Sequence, residues 1–477
     1  MMTENNGGLD AINEALNRSQ GSFHIKTLLI SGLGFFTDAY DLFIIGVVVS
    51  LLSLSGWTTI DTFYKGLISS TSLISAVIGA ILFGRLLDYL GRKRIYGLEL
   101  AILIIGALGS AFLTPYNNAI ALIGWRFLLG IGIGGDYATS STIMAEYSNT
   151  KSRGKFIGSI LSMQSFGLVA GPLIALAFML HGVSPAITWK ALLAIGAIPA
   201  AIVIYFRLKM PEPPRYTAAA RGDVNKAARD LKEYTGINVS VSDDEKYVVK
   251  AKWSTLFRDR TFLLTLIGTM GAWFLMDWAL YGNSIMSTTI LSALVPSTIK
   301  GMPALIKSTE YTLLIFAVAA FPGYWIATFT IDRIGRKTIQ LTGFAVMAAT
   351  YAIIAIGYHS IIGNLSLFLG LYGVSYFFIM FGPNVTTFVY PPEVFPVTTR
   401  GLGTGMSAAG GKTGAFIGTF VDAIILGTDA SAHLPLLFTI LAIFAIVAFI
   451  LTLVLLPETK GRNLEETSGE KRYTVKA

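Results

Sequence analysis

Twelve apolar stretches, each about as long as a bilayer's hydrocarbon core is thick, run through this 477-residue chain. A core of about 30 Å takes about 20 helical residues, and a backbone crossing lipid must satisfy its own hydrogen bonds, so each stretch is expected to be a transmembrane helix. They lie at roughly 26–54, 63–88, 94–113, 118–147, 154–180 and 187–208, then 261–292, 311–333, 337–358, 362–391, 400–427 and 434–456. The expected fold class is an all-α membrane protein with twelve transmembrane helices in two six-helix bundles, residues 26–208 and 261–456, joined by a polar linker, 209–260. Polar tails, 1–25 and 457–477, flank them, and the first has no signal-peptide order of basic, apolar and cleavage regions. Only 13% of the residues are charged, against about 25% in soluble proteins, which excludes a soluble globule of this length. With no cysteine, disulfides, thiolate metal sites and a cysteine nucleophile are excluded too.

The net charge of +8 does not point to nucleic acid, because the cations are sorted by side. If both termini are cytoplasmic, all but six of the 36 basic residues fall on the cytoplasmic side; Lys65, Lys190, Lys300 and Lys307 fall on the other, and Arg126 and Lys412 within spans. Charge sorted in this way signals membrane topology and attraction to lipid headgroups.

The two halves repeat one another. GRLLDYLGRKR from Gly84 is matched by TFTIDRIGRKT, with Asp88 and Arg92 against Asp332 and Arg336. Glu146 and Arg153 are matched by Glu393 and Arg400, and PEPPR from Pro211 by PETKGR from Pro457. The halves are therefore expected to be pseudo-symmetric, with these eight charged residues forming gating ion pairs at the cytoplasmic mouth, Glu146 with Arg153 and Glu393 with Arg400 among them. Twelve spans in two halves with these duplicated motifs resemble the major facilitator superfamily, and PETKGR its sugar-porter-like branch. The resemblance implies a central cavity and alternating access by rocking.

Ionisable groups inside spans are costly and point to function. Asp38 and Asp41 stand in span one, Glu99 in three, Arg126 and Asp136 in four, Asp277 in seven, Lys412 and Asp422 in eleven. Glu99 and Asp422, near span ends, are expected to snorkel. In WFLMDWALYGN, Trp273, Asp277 and Tyr281 recur every four residues and form one stripe able to line a cavity. Lys412 sits among small residues and wants an anion. Asp38 and Asp41 are helical neighbours suited to carrying a proton, with Arg126 near them, and Asp136 faces Arg126 or span one. Gln164 and Asn384 add hydrogen-bonding groups; Tyr137 and Asn384 stand at equivalent places in the two halves. GGKT at Gly410 is no phosphate-binding loop, because Met406 replaces the required glycine, and Gly130, Gly132, Gly134 and Gly135 lack the strand of a dinucleotide fold; they are expected to let helices approach closely.

Tyr137, Gln164, Trp273, Tyr281, Asn384 and Lys412 offer donors around the single carboxylate of Asp277. That combination suits a small oxyanion carrying its own proton, which can donate to Asp277. At GFFTDAYDLF, GGDY, MQSFG, FGPNVTTF and SAAGGKTGA the chain resembles the phosphate:proton symporter family of fungi and plants. The resemblance implies that these seven residues bind inorganic phosphate and that Asp38, Asp41, Arg126 and Asp136, with Asp277, couple protons. Ala138 departs from it, standing where many relatives carry proline, so span four is expected to bend differently. The expectation is a proton-coupled phosphate importer, not an enzyme, working as a monomer in the cell (plasma) membrane with no cofactor or metal. A transporter of an organic anion or sugar acid, and a phosphate-binding nutrient sensor, are the competing readings.

Overall fold

The computed structural model describes residues 11–12, 14–16, 22–239, 247–427 and 429–476. Twelve helices of membrane-crossing length and composition are present: Thr27–Leu54, Thr62–Leu90, Arg92–Phe112, Ala119–Tyr147, Arg153–Leu180, Pro185–Leu208, Arg260–Ile285, Met302–Ile334, Arg336–Ile361, Leu365–Val394, Arg400–Leu426 and Ala430–Leu455, referred to below as spans one to twelve. Two boundaries differ from the apolar runs. Span seven stops at Ile285, and the rest of its run forms a separate short helix, Ser287–Ser292. Span eight starts at Met302, two turns early, because the Lys307–Glu310 ion pair interrupts the hydropathy without breaking the helix.

The D-x-x-G-R-K turns that join spans two to three and eight to nine are closed by Gly91 and Gly335, with φ of 99° and 110°, a backbone region open to glycine at no steric cost. Span four, expected to bend differently for having Ala138 where many relatives carry proline, runs unbroken from Ala119 to Tyr147. Span ten departs from helical geometry in its middle. It carries a π turn at Met380–Asn384, where Gly382 takes φ −105° and ψ −107° just before Pro383. That turn sets Asn384 at the centre of the molecule.

Lipid offers no hydrophobic drive for one helix to bind another, so close backbone approach must supply the contact. Spans two and four show it: a Cβ on Gly134 would lie 2.0 Å from the Ala76 carbonyl oxygen, and one on Gly130 2.0 Å from that of Ser72. The two halves meet in the same manner. Gly405 of span eleven lies on Ala80 of span two, and Gly46 of span one lies on Ile285 of span seven, each leaving about 2 Å for an added Cβ.

The linker and the C-terminal segment close one end of the bundle together. Tyr247–Val249 pairs antiparallel with Thr474–Lys476, and Ile12, Ala15 and Leu16 pack on the linker helix Val224–Thr235. Gly134→Ala is expected to cost about 1–3 kcal/mol by overpacking, and so to lower the melting temperature of the purified protein. Gly124→Ala, with nothing within 4 Å of its added methyl, should leave it unchanged; equal melting temperatures for both would remove the close-approach account.

Candidate functional site

Two arginine–glutamate clusters close the linker end, and they cross between halves. Arg92 pairs with Glu146 at 2.7 Å, and Glu146 also takes Arg400 of the other half at 3.1 Å. In mirror fashion Arg336 pairs with Glu393 at 2.7 Å, and Glu393 takes Arg153 at 2.8 Å. Asp88 accepts the backbone N–H groups of Gly401 and Leu402, and Asp332 those of Gly154 and Lys155, so each half's aspartate caps a helix of the other. The expected pairs Glu146–Arg153 and Glu393–Arg400 are corrected: each arginine opens the helix after its turn and is aimed across the interface at the opposite glutamate. The third repeat also has a job. Glu212 and Glu458 cap the starts of spans three and nine through the N–H groups of Arg92 and Arg336. Glu470 of the C-terminal segment adds a contact to Arg400 at 3.4 Å, and burial pushes its carboxyl up while that arginine opposes the shift.

At the centre, the Lys412 ammonium donates to Asp277 at 3.0 Å and to the Tyr281 hydroxyl at 2.7 Å. It lies 4.0 Å above the Tyr137 ring and 4.1 Å above that of Tyr281. The hydroxyls of Tyr137 and Tyr281 are 2.9 Å apart, Gln164 donates to Tyr137, and Tyr324 donates to Gln164 at 3.0 Å. Residues of both halves thus share one hydrogen-bonded chain. Trp273 packs by Tyr137, held against Gly411, where any side chain would collide with the indole. Asn384 donates to the Met380 sulfur and reaches the centre through Tyr324. All seven expected residues are buried, and six of them adjoin directly. Tyr324, Phe35 and Phe388 join them unforeseen, the two phenylalanines edge-on to Tyr137. Sequence signals existed only for Tyr324, a hydroxyl beside the Pro-Gly break of FPGYW.

Beside this centre lies an acidic cluster. Arg207 makes a two-pronged pair with Asp136, 2.7 and 2.9 Å, and reaches Glu99 at 3.0 Å. Two expectations are corrected. Asp136 lies against Gly34 of span one, as one of its two expected directions had it, but its partner is Arg207 of span six and not Arg126; Glu99 does not snorkel, since both acids are fully buried where spans three, four and six converge. Arg126 and Lys412 are therefore not the only cations within the spans; Arg207 was hidden by its place at the end of an apolar run. Gly34 of span one leaves the room: its Cβ would lie 2.0 Å from the Arg207 guanidinium. Asp38, one turn on, projects from the same face. Both carboxylate oxygens of Asp38 and of Asp41 are buried with no hydrogen-bond partner. Arg126 binds the backbone carbonyl of Asp41 at 2.9 Å and Ser72, and not a carboxylate.

Away from the linker, a cavity of about 510 Å³ opens between the halves, lined by Lys65, Ser69, Ile285, Thr288 and Ser292 among others. Its floor is the contact of Gly46 with Ile285 and the stack of Phe43 on Tyr281, rings 5.0 Å apart. The centre is closed from both ends, by ion pairs on one side and by this thin aromatic floor on the other.

Comparison with known proteins places this geometry in context. Residues 26–470 match the family model "Sugar (and other) transporter". A probable inorganic phosphate transporter 1-12 of Oryza sativa subsp. japonica is 35% identical, over 94% of this chain and 92% of its own. The low affinity inorganic phosphate transporter 4 of Medicago truncatula is 36% identical over 97% and 95%. Among solved structures, the major facilitator superfamily proton:xylose symporter XylE bound to 6-bromo-6-deoxy-D-glucose superposes with a TM-score of 0.75 at 20% identity, covering 94% of this chain and 98% of that one. This likeness establishes the fold.

Removing one member of a buried ion pair strands the other charge, at a cost of about 3–5 kcal/mol, whereas removing both is close to neutral. Lys412→Met should therefore lower the melting temperature far more than the Asp277→Asn, Lys412→Met double variant does. If the double variant is as unstable as the sum of the two singles, Lys412 and Asp277 are not coupled.

Proposed function

The chain belongs to the sugar (and other) transporter family, and on that premise we propose that it imports inorganic phosphate across the cell membrane together with protons, by alternating access. The Lys412–Asp277 pair at the hydrogen-bonded centre is the observation that carries the reading. Dihydrogen phosphate fits between the two groups as neither a sugar nor a fully deprotonated anion does: it accepts from Lys412, Tyr137, Tyr281, Gln164 and Trp273 and donates its own proton to Asp277. Asn384 closes on it from the π turn of span ten. The names of the relatives from rice and Medicago support the same substrate.

Asp277 and two aromatic faces satisfy the lysine, so the pair carries no uncompensated charge of its own. A proton reaching Asp277 weakens its hold on both lysine and substrate and favours release. Asp38 and Asp41, with open acceptor oxygens, take protons that enter from the cavity lined by Lys65 and Ser69, the vestibule; Asp136, held by Arg207, receives them next, and Arg126 keeps the Asp41 segment in place. The linker and both termini face the cytoplasm in this reading, in keeping with the sorted cations. The vestibule then faces outward, and the crossed arginine–glutamate clusters are the inner gate, broken when the halves rock apart.

Proteoliposomes with an imposed pH gradient should accumulate labelled phosphate, and dissipating the gradient should abolish accumulation. Gradient-independent uptake would remove the coupling, and competition by gluconate or hexose but not phosphate would move the substrate to the sugar-acid class. Asp277→Asn should reduce accumulation at least a hundredfold when assayed below its lowered melting temperature. Asp38→Asn should keep phosphate exchange across the membrane while losing accumulation; equal loss of both would deny it a coupling role.

A further inference from the structure

One buried carboxylate has no part in this cycle. Asp422 of span eleven was expected to snorkel, yet it is fully buried. Its Oδ1 accepts a single hydrogen bond, 3.3 Å from the Trp278 indole nitrogen, and its Oδ2 has none. Span seven brings its backbone against that oxygen: a Cβ on Gly282 would lie 2.0 Å from Oδ2. Two neutral oxygens nearby in the chain are buried and unpartnered as well. They are the Thr419 hydroxyl, one turn before Asp422 and so on its face, and the Asn283 side-chain carbonyl, next to Gly282, whose amide donates to Tyr351.

No arginine or lysine lies within ion-pair distance of Asp422 among the described residues. The ionisable groups around it are tyrosine hydroxyls of spans nine and ten, Tyr351 and Tyr372, with Tyr376 bonded to Ser284 behind them. A lone carboxylate in the membrane is costly unless a positive charge shares its site. Three oxygens on facing turns of two helices, one of them anionic, form a donor set for a small hard cation. The place also matters. Ala423, next to Asp422, and Ile285, two residues past Asn283, line the vestibule, while about two and three turns deeper the same two helices carry Asp277 and Lys412.

We propose that Asp422, with Thr419 and Asn283, is a second cation site, taking one proton or one sodium ion per cycle from the vestibule. The proposal rests on the transport reading. Occupied, the site lets spans seven and eleven close over Gly282; vacated, it leaves an uncompensated charge between them, so closing over phosphate is tied to cation entry.

The test is the steady-state phosphate accumulation ratio in proteoliposomes, measured against membrane potential with and without sodium. Asp422→Asn removes one coupled charge, so at a potential of about 60 mV accumulation should fall about tenfold relative to the parent protein. If the ion is sodium, accumulation by the parent protein rises with external sodium and that rise is lost in the variant; if it is a proton, sodium has no effect and the pH-gradient dependence drops by one proton. Should Asp422→Asn fail to fold, Thr419→Val serves in its place, with half-maximal accumulation expected only at a several-fold higher cation concentration. Unaltered accumulation and cation dependence in the folded variants would overturn the site while leaving phosphate transport standing. A parent protein that accumulates no phosphate under any gradient would overturn both.

Discussion

A charge held away from water must find a partner, and most of this molecule's polar architecture answers that requirement. In a medium that solvates ions poorly, an unmatched carboxylate or ammonium costs several kcal/mol, more than any single packing contact returns. Lys412 is matched by Asp277, Arg207 by Asp136 and Glu99, Arg92 and Arg400 by Glu146, and Arg336 and Arg153 by Glu393. Glycines at Gly34, Gly282 and Gly411 yield the volume those groups or their neighbours occupy. Among the described residues Asp38, Asp41 and one oxygen of Asp422 stand out against that background, as does Arg126, which holds a backbone carbonyl and a serine but no carboxylate.

Matching also explains why the two halves form one machine. Each ion cluster at the linker end contains a glutamate shared by an arginine of its own half and one from the other. The central chain of hydroxyls likewise passes from Gln164 and Tyr137 of the first half to Tyr281 and Tyr324 of the second. Parting the halves therefore breaks contacts at one level while those at the other can persist, the mechanical condition for opening one end at a time.

Most of the fold and the centre of the site could be read from residues because their signals are local. Twenty-residue apolar runs give spans, and a lysine in the middle of one has no bland explanation. What escaped was relational. Arg207 looks like an ordinary cation at the end of span six until Asp136 and Glu99 are seen around it, and Glu146 gave no sign that its arginine would be Arg400, 254 residues away, rather than Arg153, seven away. Phe35 and Phe388 are ordinary membrane residues by type; only the packing of spans one and ten against Tyr137 gives them a place. The start of span eight was misread for a simpler reason: a salt bridge between Lys307 and Glu310 hides two helical turns from any hydropathy count.

The short ladder between Tyr247–Val249 and Thr474–Lys476 changes what kind of joint connects the halves. It fastens the end of the chain to the middle, so that the whole second half is a closed loop returning to its own root. A linker anchored in this way is no slack tether. Through Glu470 the same C-terminal segment reaches Arg400, so the ladder ties the linker strand directly to one of the crossed ion clusters.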